Sequence, residues 1–347
     1  EPGIGKSRLA AEFARGAHRD GAVVLSGRSF EESIVPYQPF VEALRQYMAD
    51  ADPAQLEKQL GGDPAPLVTL VPELAARLPG RTRPAAGEGE RHRLFDAVAA
   101  LLSTLSTTSP VLFVLDDLQW ADPATLLLLK HVALDPRPAS LLVLGLYRDT
   151  EVGLSHPLAQ LQADVERDFA IDRVRLSGLE DRDVASMFDE MIGWSPPQSM
   201  ARGLRDDTEG NPFFLTEVIA QLGESGVAVD RERMTRGHMV AGDFGIPARV
   251  RDFVARRIGR LSHGAREVLD VAAVVGTEFR LDILAAVLDV EVDDLVDHLD
   301  EALEAHLVVE AAGRPGAFAF AHDLFQGALH EGQSTNRRAV LHARVAV

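Results

Sequence analysis

The residues Gly3-Ile4-Gly5-Lys6-Ser7 stand immediately before a helix-forming run. Glycines let successive backbone N–H groups turn inward around phosphate oxygens, and the positive end of the following helix adds to that field. A lysine beside them reaches β- and γ-phosphates, and the serine hydroxyl is a ligand for Mg²⁺. Alone, the same residues are equally a glycine turn before a helix. A second segment decides between the two. Val111 to Leu115 is an unbroken apolar run that ends in Asp116-Asp117. The C-terminal ends of strands are where open α/β sheets bind ligands. Asp116 there is suited to holding Mg²⁺ through water, and Asp117 to polarising an attacking water. Asp122 before Pro123 reads as a helix cap and first helical residue, which accounts for Asp122 but not for the adjacent acids. The next apolar run, Leu141 to Leu146, ends in Tyr147-Arg148-Asp149. Arg148 suits a γ-phosphate sensor; a surface pair with Asp149 or Glu151 is the alternative.

The elements that must carry these residues alternate. A helix is expected over 6–17, with Leu9, Phe13 and Ala17 on one face. A short strand follows at 22–25, then a helix at 40–48. The stretch 50–90 is rich in Pro and Gly, with a flexible tip expected at 81–90. Helices at 91–105 and 123–134 flank the strand at 111–115. Apolar strands alternating with helices predict a parallel sheet covered on both faces. After about residue 175 the pattern turns helical, with Val184, Met187, Phe188 and Met191 on one helix face. A polar linker is expected near 225–245. Helices at 248–260, 263–275, 280–288 and 291–306 precede short strands at 307–310 and 317–321, joined by a turn at 313–316. Helices followed by a β-hairpin suggest a winged-helix domain.

The 347 residues carry a net charge of −18, 46% hydrophobic residues and no cysteine. That length predicts two or three domains. The acidity disfavours general nucleic-acid binding, which needs cations to neutralise phosphates. Without cysteine there is neither a disulfide framework nor a thiolate metal site. No apolar stretch reaches the ~18 residues of a membrane span, and no secretory signal is visible, so a cytoplasmic protein with no membrane partner is expected. The full pattern G-x-x-x-x-G-K-[ST] would place its first glycine one position before Glu1. The strand feeding such a loop is missing, and 338–347 read as a helix cut in the middle. The expectation is a fragment that binds ATP poorly by itself.

Four segments occur in order: Glu1-Pro-Gly-Ile-Gly-Lys-Ser-Arg-Leu9, Leu115-Asp-Asp-Leu-Gln-Trp-Ala-Asp-Pro123, Tyr147-Arg-Asp-Thr-Glu151 and Thr208-Glu-Gly-Asn-Pro-Phe-Phe214. Together they resemble the AAA-type ATPase module of bacterial STAND regulators, above all the large ATP-binding LuxR-type (LAL) transcriptional regulators and their relatives fused to cyclases or kinases. The resemblance implies an α/β P-loop NTPase core, with a parallel sheet and helices on both faces, then an all-α lid and a winged-helix domain. The expected boundaries are 1–175 for the core, 176–225 for the lid, 226–245 for a linker, 246–332 for the winged helix and 333–347 for the start of a further helical region. It implies ATP or ADP as ligand, bound by Gly3, Gly5, Lys6, Ser7, Arg8, Pro212 and His322, with Mg²⁺ on Ser7 and Asp116. Asp117 and Arg148 are the catalytic candidates. Pro212, in Gly210-Asn211-Pro212, would pack near adenine. His322, in Phe320-Ala-His-Asp-Leu324, would donate to a β-phosphate oxygen of ADP; Asp323 as a helix cap beside an ordinary histidine is the alternative. Arg28, Arg91 and Arg93 match positions where relatives have arginine, without an assignable arginine finger.

The resulting expectation is a slowly hydrolysing ATP/ADP switch within a bacterial transcriptional regulator. The second acid is Asp117 rather than the longer Glu of fast AAA ATPases, and ATP would favour self-association. The helix at 291–306 carries Asp293, Asp294, Asp297, Asp300, Glu301 and Glu304, which phosphates would repel. DNA would therefore be reached only through a domain beyond Val347. An origin-recognition-type AAA protein binding DNA through the winged helix, a cyclase- or kinase-fused module and a small-molecule kinase are the alternatives.

Overall fold

The computed structural model describes residues 2–31, 35–60, 64–77, 89–137, 140–153, 155–169, 171–224, 248–305, 307–311 and 314–345. The expected linker at 226–245, the tip at 81–88 and Gly313 of the expected turn lie outside them. The chain forms two compact units, Glu1–Arg175 and Leu176–Val347.

In the first unit, helices α1 (Lys6–Arg19), α2 (Gln38–Asp50), α3 (Pro53–Leu60), α4 (Ala65–Leu70), α5 (Leu74–Arg77), α6 (Glu90–Ser106), α7 (Pro123–Ala133) and α8 (Pro157–Val165) surround three strands. These are β1 (Val23–Arg28), β2 (Val111–Asp116) and β3 (Leu141–Gly145), all parallel, in the order β1-β2-β3. Side chains of a strand alternate between faces, and β2 uses both. Val111, Phe113 and Leu115 enter the larger core with residues of α2, α6 and α7. Leu112 and Val114 enter a smaller cluster with Ala10, Ala14 and Ala17 of α1. A strand buried on both faces must be apolar throughout, which is why β2 reads as a continuous run.

Two features depart from expectation. Ala17 faces the sheet as expected, but with Ala10 and Ala14; Leu9 and Phe13 are 52% and 50% exposed. The small alanine face lets α1 lie close on β2. Within the Pro- and Gly-rich stretch, where no helix was expected, α3, α4 and α5 bury Leu56, Leu67, Leu70 and Leu74 in the main core. Pro53 opens α3 and Pro66 lies in the first turn of α4, positions where a missing N–H costs nothing. Gly27 of β1 is required by packing, since a Cβ there would lie 1.8 Å from the Pro39 carbonyl oxygen.

The second unit begins with α9 (Asp181–Ile192), α10 (Gln198–Thr208) and α11 (Pro212–Glu224), which share a core of Val184, Phe188, Leu204, Leu215 and Ile219. Val184 and Phe188 bear out the expected face of α9, whereas Met191 is 40% exposed. Then come α12 (Ala248–Ile258), α13 (His263–Val275), β4 (Glu278–Arg280), α14 (Leu281–Leu288), α15 (Val292–Glu304), β5 (Val308–Glu310), β6 (Ala317–Phe320), α16 (Asp323–Gly332) and α17 (Thr335–Val345). The three strands form an antiparallel sheet in the order β4-β6-β5. β4 was not expected, and Arg280, expected as the first residue of a helix, ends it instead; three residues are too few to leave an alternating pattern. Among the described residues, no helix is long and apolar enough to cross a membrane.

Candidate functional site

The site of the first unit forms at the C-terminal ends of β1 and β2. Parallel pairing sets Arg28 directly beside Asp116. The chain then leaves the sheet abruptly. Asp117 takes a left-handed conformation (φ 54°) that turns the backbone into a 3₁₀ turn over Leu118–Trp120. Asp is among the few residues that tolerate this region. The turn carries the two acids to different places: Asp116 stays half-buried at the strand end, while Asp117 is buried.

On the N-terminal side, Gly3 and Gly5 have φ of 80° and 102°, and α1 begins at Lys6. These left-handed values are the ones glycine adopts without steric cost. Ser7, in the first turn, donates its hydroxyl to Asp116 Oδ2 at 2.7 Å. The two expected Mg²⁺ ligands are thus adjacent oxygens, hard donors of the kind Mg²⁺ takes. Lys6 is half-buried and Arg8 is exposed, with Arg8 paired to Glu12 at 3.2 Å.

Asp117 sits in a basic clamp. Arg28 donates to Asp117 Oδ2 from Nε at 2.8 Å and from Nη2 at 2.6 Å. Gln119 Nε2 donates to Oδ1 at 3.0 Å, and Arg148 Nη2 lies 3.7 Å from the same oxygen. Arg148 also pairs with Glu151 at 2.6 Å and rests over the Trp120 ring at 4.7 Å. The alternative reading of Arg148 is met in its pair with Glu151, and the guanidinium also stands near Asp117. Arg28 is one of three arginines whose role sequence reasoning left unassigned, because only the β1–β2 register brings it near Asp117. Gln119 was missed altogether. It is buried, and it ties Asp117 to the backbone of Arg148, whose N–H it accepts at 3.2 Å. Its one sequence signal is an amide two residues beyond an acidic pair. Arg91 and Arg93 are exposed in the first turns of α6.

Asp122 caps α7 as expected, accepting from the N–H groups of Ala124 and Thr125 at 2.9 and 3.0 Å. In the second unit, Pro212 opens α11, and Asn211 accepts from Phe213 N–H at 3.1 Å, which makes it the cap. Gly210 has φ 69°, and a Cβ there would lie 2.4 Å from the Leu179 carbonyl oxygen. His322 is 3% exposed, with its ring 4.8 Å from Phe214 and 5.1 Å from Phe325 and Nδ1 3.7 Å from Glu209 Oε1. Asp323 does not cap a helix: α16 starts at Asp323 itself, and His322 holds the cap position, its side chain making no capping bond.

A glycine-bounded loop, a Ser–Asp pair and buried acid chemistry at the carboxyl edge of a parallel sheet define a P-loop NTPase-like fold. Residues 1–144 match the AAA ATPase domain family. No curated protein matches the chain. Among solved structures, a Walker-type ATPase of Pyrococcus abyssi is 14% identical with a TM-score of 0.49, covering 94% of this chain and 88% of that one. A Signal Transduction ATPase with Numerous Domains (STAND) protein with a tetratricopeptide repeat sensor, from Pyrococcus horikoshii, is 14% identical with a TM-score of 0.35 and covers 99% of this chain but 41% of that one. The RuvB Holliday junction branch migration motor of Thermotoga maritima is 14% identical with a TM-score of 0.33, covering 67% and 80%.

Proposed function

We propose that this chain is the ATP-binding, slowly hydrolysing part of a STAND-type switch in a bacterial transcriptional regulator of the LuxR type. The observation that carries the nucleotide reading is the Ser7–Asp116 contact of 2.7 Å beside Gly5 at φ 102°. It joins the end of the phosphate loop to the end of an apolar strand, 109 residues apart in sequence. Gly3, Gly5 and Lys6 take the phosphates, with Arg8 at the rim. Ser7 and Asp116 hold Mg²⁺, which neutralises phosphate charge when bound.

Asp117 orients the attacking water, and the clamp explains slow turnover. A carboxylate engaged by Arg28, Gln119 and Arg148 is not available to water until Arg28 is drawn away, and a γ-phosphate is an anion able to draw it. Arg148 then senses the same charge. The resting state thus stores an ordered but restrained site.

In the second unit, Pro212 and His322 are the proposed nucleotide-contacting residues, with His322 favouring ADP retention. The succession α13-β4-α14-α15-β5-β6 and the sheet order β4-β6-β5 support reading 246–332 as a winged helix, following a lid at 176–225. Asp293, Asp294, Asp297 and Asp300 of α15 are exposed, which favours a role within the switch over DNA contact. DNA is then bound through a separate domain, the ATP state self-associates, and the protein works in the cytoplasm. A ligand biases such a switch only by binding its two states differently.

The test is nucleotide binding and turnover by the intact protein. Mg²⁺-dependent ATP binding that is lost on Lys6→Ala supports the reading. Binding that survives Lys6→Ala, or turnover at the rate of a motor ATPase, contradicts it. For ADP retention, His322→Ala with unchanged ADP affinity removes His322 from the mechanism.

A further inference from the structure

Away from the nucleotide site, α6 and α7 bring together three side chains that ligate metals. His92 and Asp96 are four residues apart on α6 and so share a helix face; His131 comes from the last turn of α7. His92 Nε2 lies 3.3 Å from Asp96 Oδ2, and His131 Nε2 lies 3.0 Å from Asp96 Oδ1. The donor atoms of all three lie within 4.8 Å of one another. His131 stands nine residues along α7 from Asp122, roughly 13 Å at helical rise, and the three side chains are distinct from Ser7 and Asp116.

We propose that His92, Asp96 and His131 form a binding site for Zn²⁺ or a similar late first-row divalent ion. Tetrahedral Zn²⁺ holds imidazole nitrogens and carboxylate oxygens at about 2.0–2.2 Å, which puts neighbouring donors about 3.3 Å apart. The two histidine–aspartate separations, 3.3 and 3.0 Å, are of that size but run to different oxygens of Asp96. Binding asks the Asp96 carboxylate to turn one oxygen toward both imidazoles and the imidazoles to draw closer; their rings face each other edge to face with centroids 5.7 Å apart. Two imidazoles with one carboxylate select Zn²⁺ over Mg²⁺ or Ca²⁺.

The surroundings favour a cation. Asp96 and His131 line a cleft of about 540 Å³ together with Lys130, Asp135 and Arg137. Neither neighbouring cation opposes a metal, because Lys130 is bonded to Asp164 at 2.6 Å and Arg137 is paired with Asp135. Phe95 packs its ring 5.7 Å from that of His131. His131 is the most buried ligand, with its side chain 25% exposed, against 51% for Asp96 and 73% for His92. Three protein ligands leave the remaining coordination position to water. A bound ion would fasten α6 to α7, the two helices that flank β2 in the main core.

The experiment is titration of the full chain with Zn²⁺ by calorimetry and with Co²⁺ by visible absorption, in saturating Mg²⁺ so that Ser7 and Asp116 do not take the probe. One Zn²⁺ per chain is expected, with the intense visible bands of low-coordinate Co²⁺. His92→Ala and His131→Ala each weaken Zn²⁺ binding at least tenfold. His330→Ala leaves it unchanged, although His330 stands 5.8 Å, ring to ring, from His342. Far-UV circular dichroism checks that each variant is folded. Zn²⁺ binding that is absent, that survives both substitutions at 92 and 131, or that falls equally in His330→Ala overturns the proposal and leaves an ordinary surface histidine–aspartate network.

Discussion

Replacing Arg28 with alanine should speed ATP turnover rather than abolish it. Arg28 makes two charge-assisted bonds to Asp117 Oδ2, at 2.8 and 2.6 Å, and the Asp117 side chain is only 8% exposed. Hydrogen bonds to charged groups contribute about 1.5–3 kcal/mol each. The Arg28 side chain is 51% exposed, however, and screening lowers the net value. A restraint of about 1–2 kcal/mol is a fair figure for the pair. If that restraint must be released before Asp117 can orient water, its removal raises single-turnover hydrolysis about five- to thirty-fold. Gln119 and Arg148 still hold Asp117 Oδ1 in the variant, so the carboxylate keeps its place. The assay is single-turnover hydrolysis of ATP by the intact protein, with thermal unfolding as a control for folding. Unchanged turnover in a folded variant refutes the restraint. A fall to the level of Asp117→Asn shows that Arg28 assists the reaction instead.

Asp117→Asn should lower turnover about 100-fold or more, the scale of a lost general base, with ATP affinity nearly unchanged by fluorescence titration. Phe113→Ala removes a ring that is 1% exposed and packed edge-on to Phe40 at 5.1 Å; denaturant unfolding should register a loss of about 3–5 kcal/mol. Gly210→Ala forces a Cβ into the Leu179 carbonyl at positive φ, and thermal unfolding should show more than about 1 kcal/mol of destabilisation. Burial holds the Asp270 carboxyl above its usual value, against the opposing pull of Arg337. The neutral form is then favoured in the fold, so this stabilisation is full below the ordinary carboxyl range and is lost as pH rises through the folded value. Asp270→Asn should therefore raise the melting temperature more at pH 7 than at pH 4; a smaller gain at pH 7 contradicts the sign.

The sequence made β2 and its two acids legible because a doubly buried parallel strand must be apolar throughout, and a charged pair that ends it stands out. The glycine loop before α1 was equally readable, since Gly3 and Gly5 take the positive φ that glycine adopts freely and Ser7 meets Asp116. The clamp was not readable. It depends on the β1–β2 register that sets Arg28 beside Asp116, and on the left-handed turn at Asp117, neither of which leaves a periodic trace. The same limit explains α1. Hydrophobicity alone favoured Leu9 and Phe13 as the inward face, whereas close packing on β2 selected Ala10 and Ala14. In 50–77, prolines that look like breaks open helices, and only the burial of Leu56, Leu67 and Leu74 reveals them. His92, Asp96 and His131 come from two helices 35 residues apart at their closest cross-helix contact, a spacing that matches no metal motif.

The most direct test of the nucleotide switch is Mg²⁺-dependent ATP binding by the intact protein and its Asp116→Asn variant, measured by calorimetry with and without Mg²⁺. The account predicts that wild-type binding strengthens with Mg²⁺ and that the variant loses this dependence while still binding nucleotide through the loop. Equal Mg²⁺ dependence in both proteins would contradict the assignment of Ser7 and Asp116 as the metal-holding pair.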